Sequence, residues 1–127
     1  NTNYSILKNR YESLAQSAQK ANIESNGIVL SEYYYISGSR SLSAAFEFTN
    51  TARDENGETP TAEKIAQSRS MTAYVNGNPV KAEYEPVYAP KCLEKYGYYK
   101  IDWSETGEVG GTVEMHIGDS VFTLKLD

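Results

Sequence analysis

The run MTAYVNGNPVKAEYE, residues 71–85, sets Asn76-Gly77 between two segments in which apolar and polar residues alternate. A two-residue loop of this composition closes a β-hairpin through a type I′ turn, because both central positions need positive φ and asparagine and glycine tolerate it. Strand period, antiparallel pairing and register all follow from that one dipeptide. Pro79, just past the turn, has no N–H to give to a ladder, so the returning strand is expected to start at an edge.

The same alternation recurs through most of the chain. Ile28 to Ile36 reads as a strand, Ser37 to Ser41 as a turn, and Leu42, Ala44, Phe46 and Phe48 as the inner face of the returning strand. Tyr99, Ile101 and Trp103 share one face of a later strand. Val113, Met115 and Ile117 lead into a second expected tight turn at Gly118-Asp119, and Phe122, Leu124 and Leu126 line the strand after it. The spacing predicts a mainly β fold, an immunoglobulin-like antiparallel β-sandwich of about seven strands. Its buried face is expected to include Phe46, Phe48, Ile101, Trp103, Met115, Ile117, Phe122 and Leu124.

The opening segment has a different period. Tyr4, Leu7, Tyr11, Leu14, Ala18 and Ala21 recur at alternating spacings of three and four, which predicts an amphipathic α-helix over residues 3–21. Asn26-Gly27 ends this helix or the turn after it. One domain is therefore expected over 1–127, with the helix in front and the sandwich from residue 26 onward. Residues 50–70 read as a long polar connection holding a short helix from Thr61 to Ser68, and Lys91 to Lys95 as an exposed loop.

Composition narrows the partners. Seventeen acidic and twelve basic residues leave a net charge of -5 with the cations scattered, which argues against nucleic acid and against an anionic membrane surface. No apolar run approaches the ~18 residues of a membrane span, so contact with a membrane is expected only through an anchor outside this chain. The chain begins at Asn1 rather than methionine and reads as a piece of a longer protein, with any export signal or anchor expected upstream. A lone cysteine, Cys92, forms no intrachain disulfide and no cysteine-based zinc site.

Few residues suggest chemistry. The single histidine, His116, lies on a strand face opposite Met115 and Ile117 and reads as solvent-facing, with nothing in the spacing to bring Cys92 to it. Asp54, Asn56 and Glu58 alternate like oxygen donors of a calcium loop, but the glycine and distal glutamate that such a loop needs are out of register. No catalytic residue, cofactor or metal is therefore expected. The tyrosines are the one excess, eleven in all, and SEYYYISGSR places three of them in sequence. Alternation sends Tyr33 and Tyr35 one way and Tyr34 the other. Tyr34 shares parity with Ile28, Leu30 and Ile36 and is expected inside. Tyr33 and Tyr35, spaced ~6–7 Å along the strand, are then candidate ligand-binding residues on the outer face unless the helix covers them.

The stretch ESNGIVLSEYYYISGSRSLSAAFEFTN behind an amphipathic helix resembles the extracytoplasmic domain-of-unknown-function family of Gram-positive anti-sigma-factor-like membrane proteins. Asn26, Gly27, Ile28, Leu30, Leu42 and Phe46 stand at positions matching that family's first hairpin, and the Asn76-Gly77 turn is similar to its second. Ser37-Gly38-Ser39-Arg40 replaces the family's Asp-Gly turn. The resemblance implies a sandwich domain outside the membrane, anchored or at the cell surface, with no catalytic residues to carry over. The expected function is non-catalytic binding or sensing of a protein or cell-wall ligand, in the sensory part of a transmembrane regulator. The alternative is a carbohydrate-binding or adhesive module of a secreted protein.

Overall fold

The computed structural model describes residues 18–48, 69–85 and 96–126. They form eight strands: β1 (Gln19–Ser25), β2 (Ile28–Tyr34), β3 (Ser41–Phe48), β4 (Thr72–Val75), β5 (Asn78–Glu85), β6 (Tyr96–Asp102), β7 (Gly111–Ile117) and β8 (Ser120–Leu126). Every pairing is antiparallel, in the order β1-β2-β3-β6-β5-β4-β7-β8. The mainly β, antiparallel architecture expected from the sequence is present. The strands join in one continuous sheet.

That sheet curls until its two outer strands nearly meet. Ser120 Oγ donates to the Ser25 carbonyl at 2.7 Å, the Val121 N–H donates to Ser25 Oγ at 3.3 Å, and Asn26 Nδ2 donates to the Asp119 carbonyl at 3.2 Å. No ladder joins β1 to β8 among the described residues, and these turn-end contacts bridge the seam at one end. The curl is turned by β5. Its first residues, Asn78 to Val80, pair with β4, and from Lys81 onward it pairs with β6. Pro79 therefore sits where β5 has a ladder on one side only, which is where a residue without an N–H is tolerated.

Inside the curl the alternating apolar positions meet. All eight residues expected in the core are buried, together with Leu30, Leu42, Tyr99 and Val113. Each such side chain contributes roughly 1.5–3 kcal/mol by leaving water. Aromatic edges join the strands: the Phe46 ring lies 5.2 Å from Tyr99 and 5.0 Å from Phe122, both edge-on. Both expected tight turns are present, with φ of 52° at Asn76 and 85° at Gly77 in the first and 59° at Gly118 in the second.

The helix assigned to 3–21 is corrected at its end, since residues 19–21 belong to strand β1, and its residues 3–17 lie outside the described residues. Lys20 pairs with Glu32 and Ile23 with Leu30, so Asn26-Gly27 is a hairpin turn, with φ of 50° and 82° like those at Asn76-Gly77. The short helix from Thr61 to Ser68 and the loop at Lys91 to Lys95 also lie outside the described residues.

Gly97 on β6 is a test of how closely this interior is packed. A Cβ there would meet Phe48 Cε1 at 2.6 Å, and the Phe48 ring is itself held by the Arg69 guanidinium 3.8 Å from its centroid. Gly97→Ala is expected to lower stability by about 1–3 kcal/mol, read from denaturant midpoints.

Candidate functional site

The tyrosine run is rearranged by two bulges. Leu30 pairs with Phe46 and Glu32 with Ala45, so Ser31 is an extra residue in β2. Beside it β1 carries its own extra residue between Lys20 and Ile23, with Asn22 at φ 54°. An extra residue reverses the inside-outside parity of everything after it. Tyr33 and Tyr35 therefore turn inward and Tyr34 outward, the reverse of the order expected from strict alternation. Tyr35 is 7% exposed and stacks on Trp103 at 6.3 Å, while Tyr33 is half-buried against the same core. The expected outward direction of the two is corrected: the Ser31 bulge places them against the interior, and they form no outer platform.

The residues that do share an accessible site lie around Tyr34. A cleft of about 210 Å³ opens on the outer face where β2 runs into its turn to β3. β2 and its extension supply Tyr34 and Ile36, the latter 58% exposed. The turn and β3 supply the hydroxyls of Ser39, Ser41 and Ser43, and β6 supplies Lys100. Cross-strand register puts Tyr34, Ser43, Lys100 and Glu83 in one row over β2, β3, β6 and β5. The next row holds Ser41, Asp102 and Lys81.

The local chain orders this cleft. The Ser39 N–H donates to the Ile36 carbonyl at 2.8 Å, closing the turn, and the Ser41 N–H donates to Ser39 Oγ at 3.2 Å. In the neighbouring row the Ser104 N–H donates to Asp102 Oδ1 at 2.9 Å. That bond, with help from the Ser104 side chain and from Lys100 and Lys81, holds the Asp102 carboxyl below the usual range. Asp102 is thus an anion beside the ammonium of Lys100. The set offers an aromatic face, hydroxyl donors and acceptors and one cation. Groups of this kind can hydrogen-bond and orient a polar ligand.

The other candidates fall elsewhere. His116 is half-buried on the β7 face opposite Met115 and Ile117, with its ring edge-on to Tyr74 at 5.3 Å and Nε2 3.5 Å from Glu114 Oε1. Among the described residues no three of His, Cys, Asp and Glu stand together as metal ligands. Also among the described residues, no helix is long and apolar enough to cross a membrane. Asp54, Asn56, Glu58 and Cys92 lie outside the described residues. Arg69, which the sequence places in a polar connection, is 4% exposed. Its carbonyl accepts the Tyr99 hydroxyl at 2.6 Å. Burial pushes the Tyr84 and Tyr99 phenols up, opposed by the Arg69 charge, and the two rings pack edge-on at 5.2 Å.

Of the cleft residues, Ser41 and Ser43 had a signal in the sequence, since they alternate with Leu42 and Ala44. Lys100 had none, because its place depends on the pairing of β3 with β6. No protein family, no characterised protein and no solved structure matches this chain.

The reversed tyrosine parity has a direct check. Tyr35→Ala is expected to cost roughly 3–5 kcal/mol as a buried aromatic truncation, whereas Ile36→Ala, at an exposed cleft wall, should stay within about 0.5 kcal/mol. Thermal melting of the two variants measures the contrast.

Proposed function

We propose that this chain is a non-catalytic, extracytoplasmic binding or sensing domain whose ligand occupies the cleft between Tyr34 and Lys100. One observation carries the reading. Tyr34, three serine hydroxyls and Lys100 come from two strands, a turn and a third strand onto one open surface. Such a convergence of polar groups and one aromatic ring suits recognition of a small hydroxylated or anionic ligand. The resemblance of the β2–β3 and β4–β5 hairpins to the extracytoplasmic part of anti-sigma-factor-like regulators supports a sensory role, with the domain anchored through a segment outside this chain. In this reading the curved halves of the sheet act as the layers of a flattened, sandwich-like body, and the cleft opens on the outside of one layer.

A second reading is a carbohydrate-binding module of a secreted protein, and the same cleft favours it. A tyrosine face beside several hydroxyls and a lysine is chemistry that recognises sugars, especially acidic ones. The two readings share a site and differ in what fills it.

Binding to a panel of neutral and acidic saccharides and cell-wall fragments tests both. The domain is expected to retain members of one class, with Lys100→Ala and Ser43→Ala each weakening binding by about tenfold, or 1.4 kcal/mol, and leaving melting unchanged. Binding that survives both substitutions removes the cleft from the account. Retention of saccharides alone, with the acidic ones weakened at Lys100→Ala, favours the carbohydrate module, and retention of cell-wall fragments alone favours the sensor.

A further inference from the structure

The charges beside the cleft alternate in sign. On β6, Lys100 and Asp102 stand two residues apart and so share a face, and on β5 Glu83 faces Lys100 while Lys81 faces Asp102. The cleft lies on the other side of β6, over β3, where Ser43 is the partner of Lys100 and Ser41 the partner of Asp102. A ligand resting on these two serines is one strand spacing, ~4.8 Å, from Lys100 and Asp102 and about twice that from Glu83 and Lys81. Its nearest charges are one cation and one anion.

Both charges are presented to solvent in a form that a ligand can use. Lys100 is exposed and lines the cleft. Asp102 is half-buried, and its carboxylate is oriented by the Ser104 N–H at 2.9 Å. A carboxylate offers about four acceptor sites, of which that bond takes one. Lys81, which faces Asp102 from β5, has its ammonium 4.0 Å from Glu105 Oε1.

On the reading that the cleft is the ligand site, we propose that Asp102 makes it selective for zwitterions: a hydroxylated ring whose carboxylate meets Lys100, whose ammonium meets Asp102 and whose hydroxyls meet Ser41 and Ser43. A ring with a carboxylate alone is drawn to Lys100 but repelled by Asp102, and one with an ammonium alone meets the reverse. A ring carrying both satisfies the pair. The Cα atoms of Lys100 and Asp102 are ~6–7 Å apart along β6, which suits charges on different carbons of the ring. At about 210 Å³ the cleft is smaller than the roughly 300–1,000 Å³ of sites for drug-sized ligands, so it takes a single ring.

Four pyranoses that share one ring and differ in charge test this on the full chain: glucose, glucuronate, glucosamine and 2-amino-2-deoxyglucuronate, which carries both charged groups. Affinities are read at low ionic strength from the backbone amide shifts of Ser41, Ser43 and Lys100. The zwitterion is expected to bind ~5–10-fold tighter than glucuronate or glucosamine. Asp102→Asn, which keeps an acceptor for the Ser104 N–H, is expected to bring the zwitterion within about twofold of glucuronate, and Glu83→Gln to leave the preference standing. Equal binding of glucuronate and the zwitterion by the unsubstituted chain overturns the selectivity while the cleft stands as a site. So does a preference that survives Asp102→Asn or disappears at Glu83→Gln. No shift at these amides with any of the four removes the cleft as a saccharide site and the selectivity with it.

Discussion

The contact on which this fold depends is the ring of Phe46. It stands on β3 in the larger half of the sheet and meets Tyr99 beside it at 5.2 Å and Phe122 across the interior at 5.0 Å. Phe122 belongs to β8, the far end of the strand order. No ladder closes the sheet between β1 and β8 among the described residues, so the halves are held by what fills the space between them. Edge-on aromatic pairs suit that task, since each buries a large area and adds about 0.5–1.5 kcal/mol through its geometry. The polar contacts at Ser25 and Ser120 then fix one end of the seam.

Much of this was legible in local pattern. Asn76-Gly77 marked a hairpin, and the alternation of Ile101 with Trp103 and of Phe122 with Leu124 marked the buried faces, because side-chain period and turn chemistry are short-range properties. β1 was written in the same grammar. Asn26-Gly27 separates two alternating segments, but Ala18 and Ala21 also fit the helical stripe, and alanine carries no β preference to oppose it. Where the two periods overlap, the pairing with β2 decides, and that pairing is not local.

The candidate site was harder to read for the same reason. A bulge at Ser31 reverses which tyrosines face water, and nothing in SEYYYISGSR announces an extra residue. Asn22 is a partial sign, since asparagine tolerates the positive φ that a bulge of β1 needs. Lys100 joins the cleft only because β3 lies beside β6, a pairing between strands separated by two others in sequence. Arg69 looks like a surface cation in its polar neighbourhood, yet it lies buried over the Phe48 ring. Each of these residues takes its role from a tertiary neighbour. The consequence is a division of faces: Tyr33 and Tyr35 join the interior that Phe46 organises, while Tyr34, Glu32 and Tyr98 lie on the other face, which has a buried part and an open cleft.

A double-mutant cycle on Phe46 and Phe122, followed by urea denaturation, tests the central claim most directly. If the cross-interior contact holds the nearly closed sheet together, Phe46→Ala and Phe122→Ala each cost roughly 3–5 kcal/mol. The double variant then loses less than their sum by about 0.5–3 kcal/mol, because removing either ring already breaks the shared contact. Losses that add within about 0.3–0.5 kcal/mol would show the two rings to be independent, and would contradict the account.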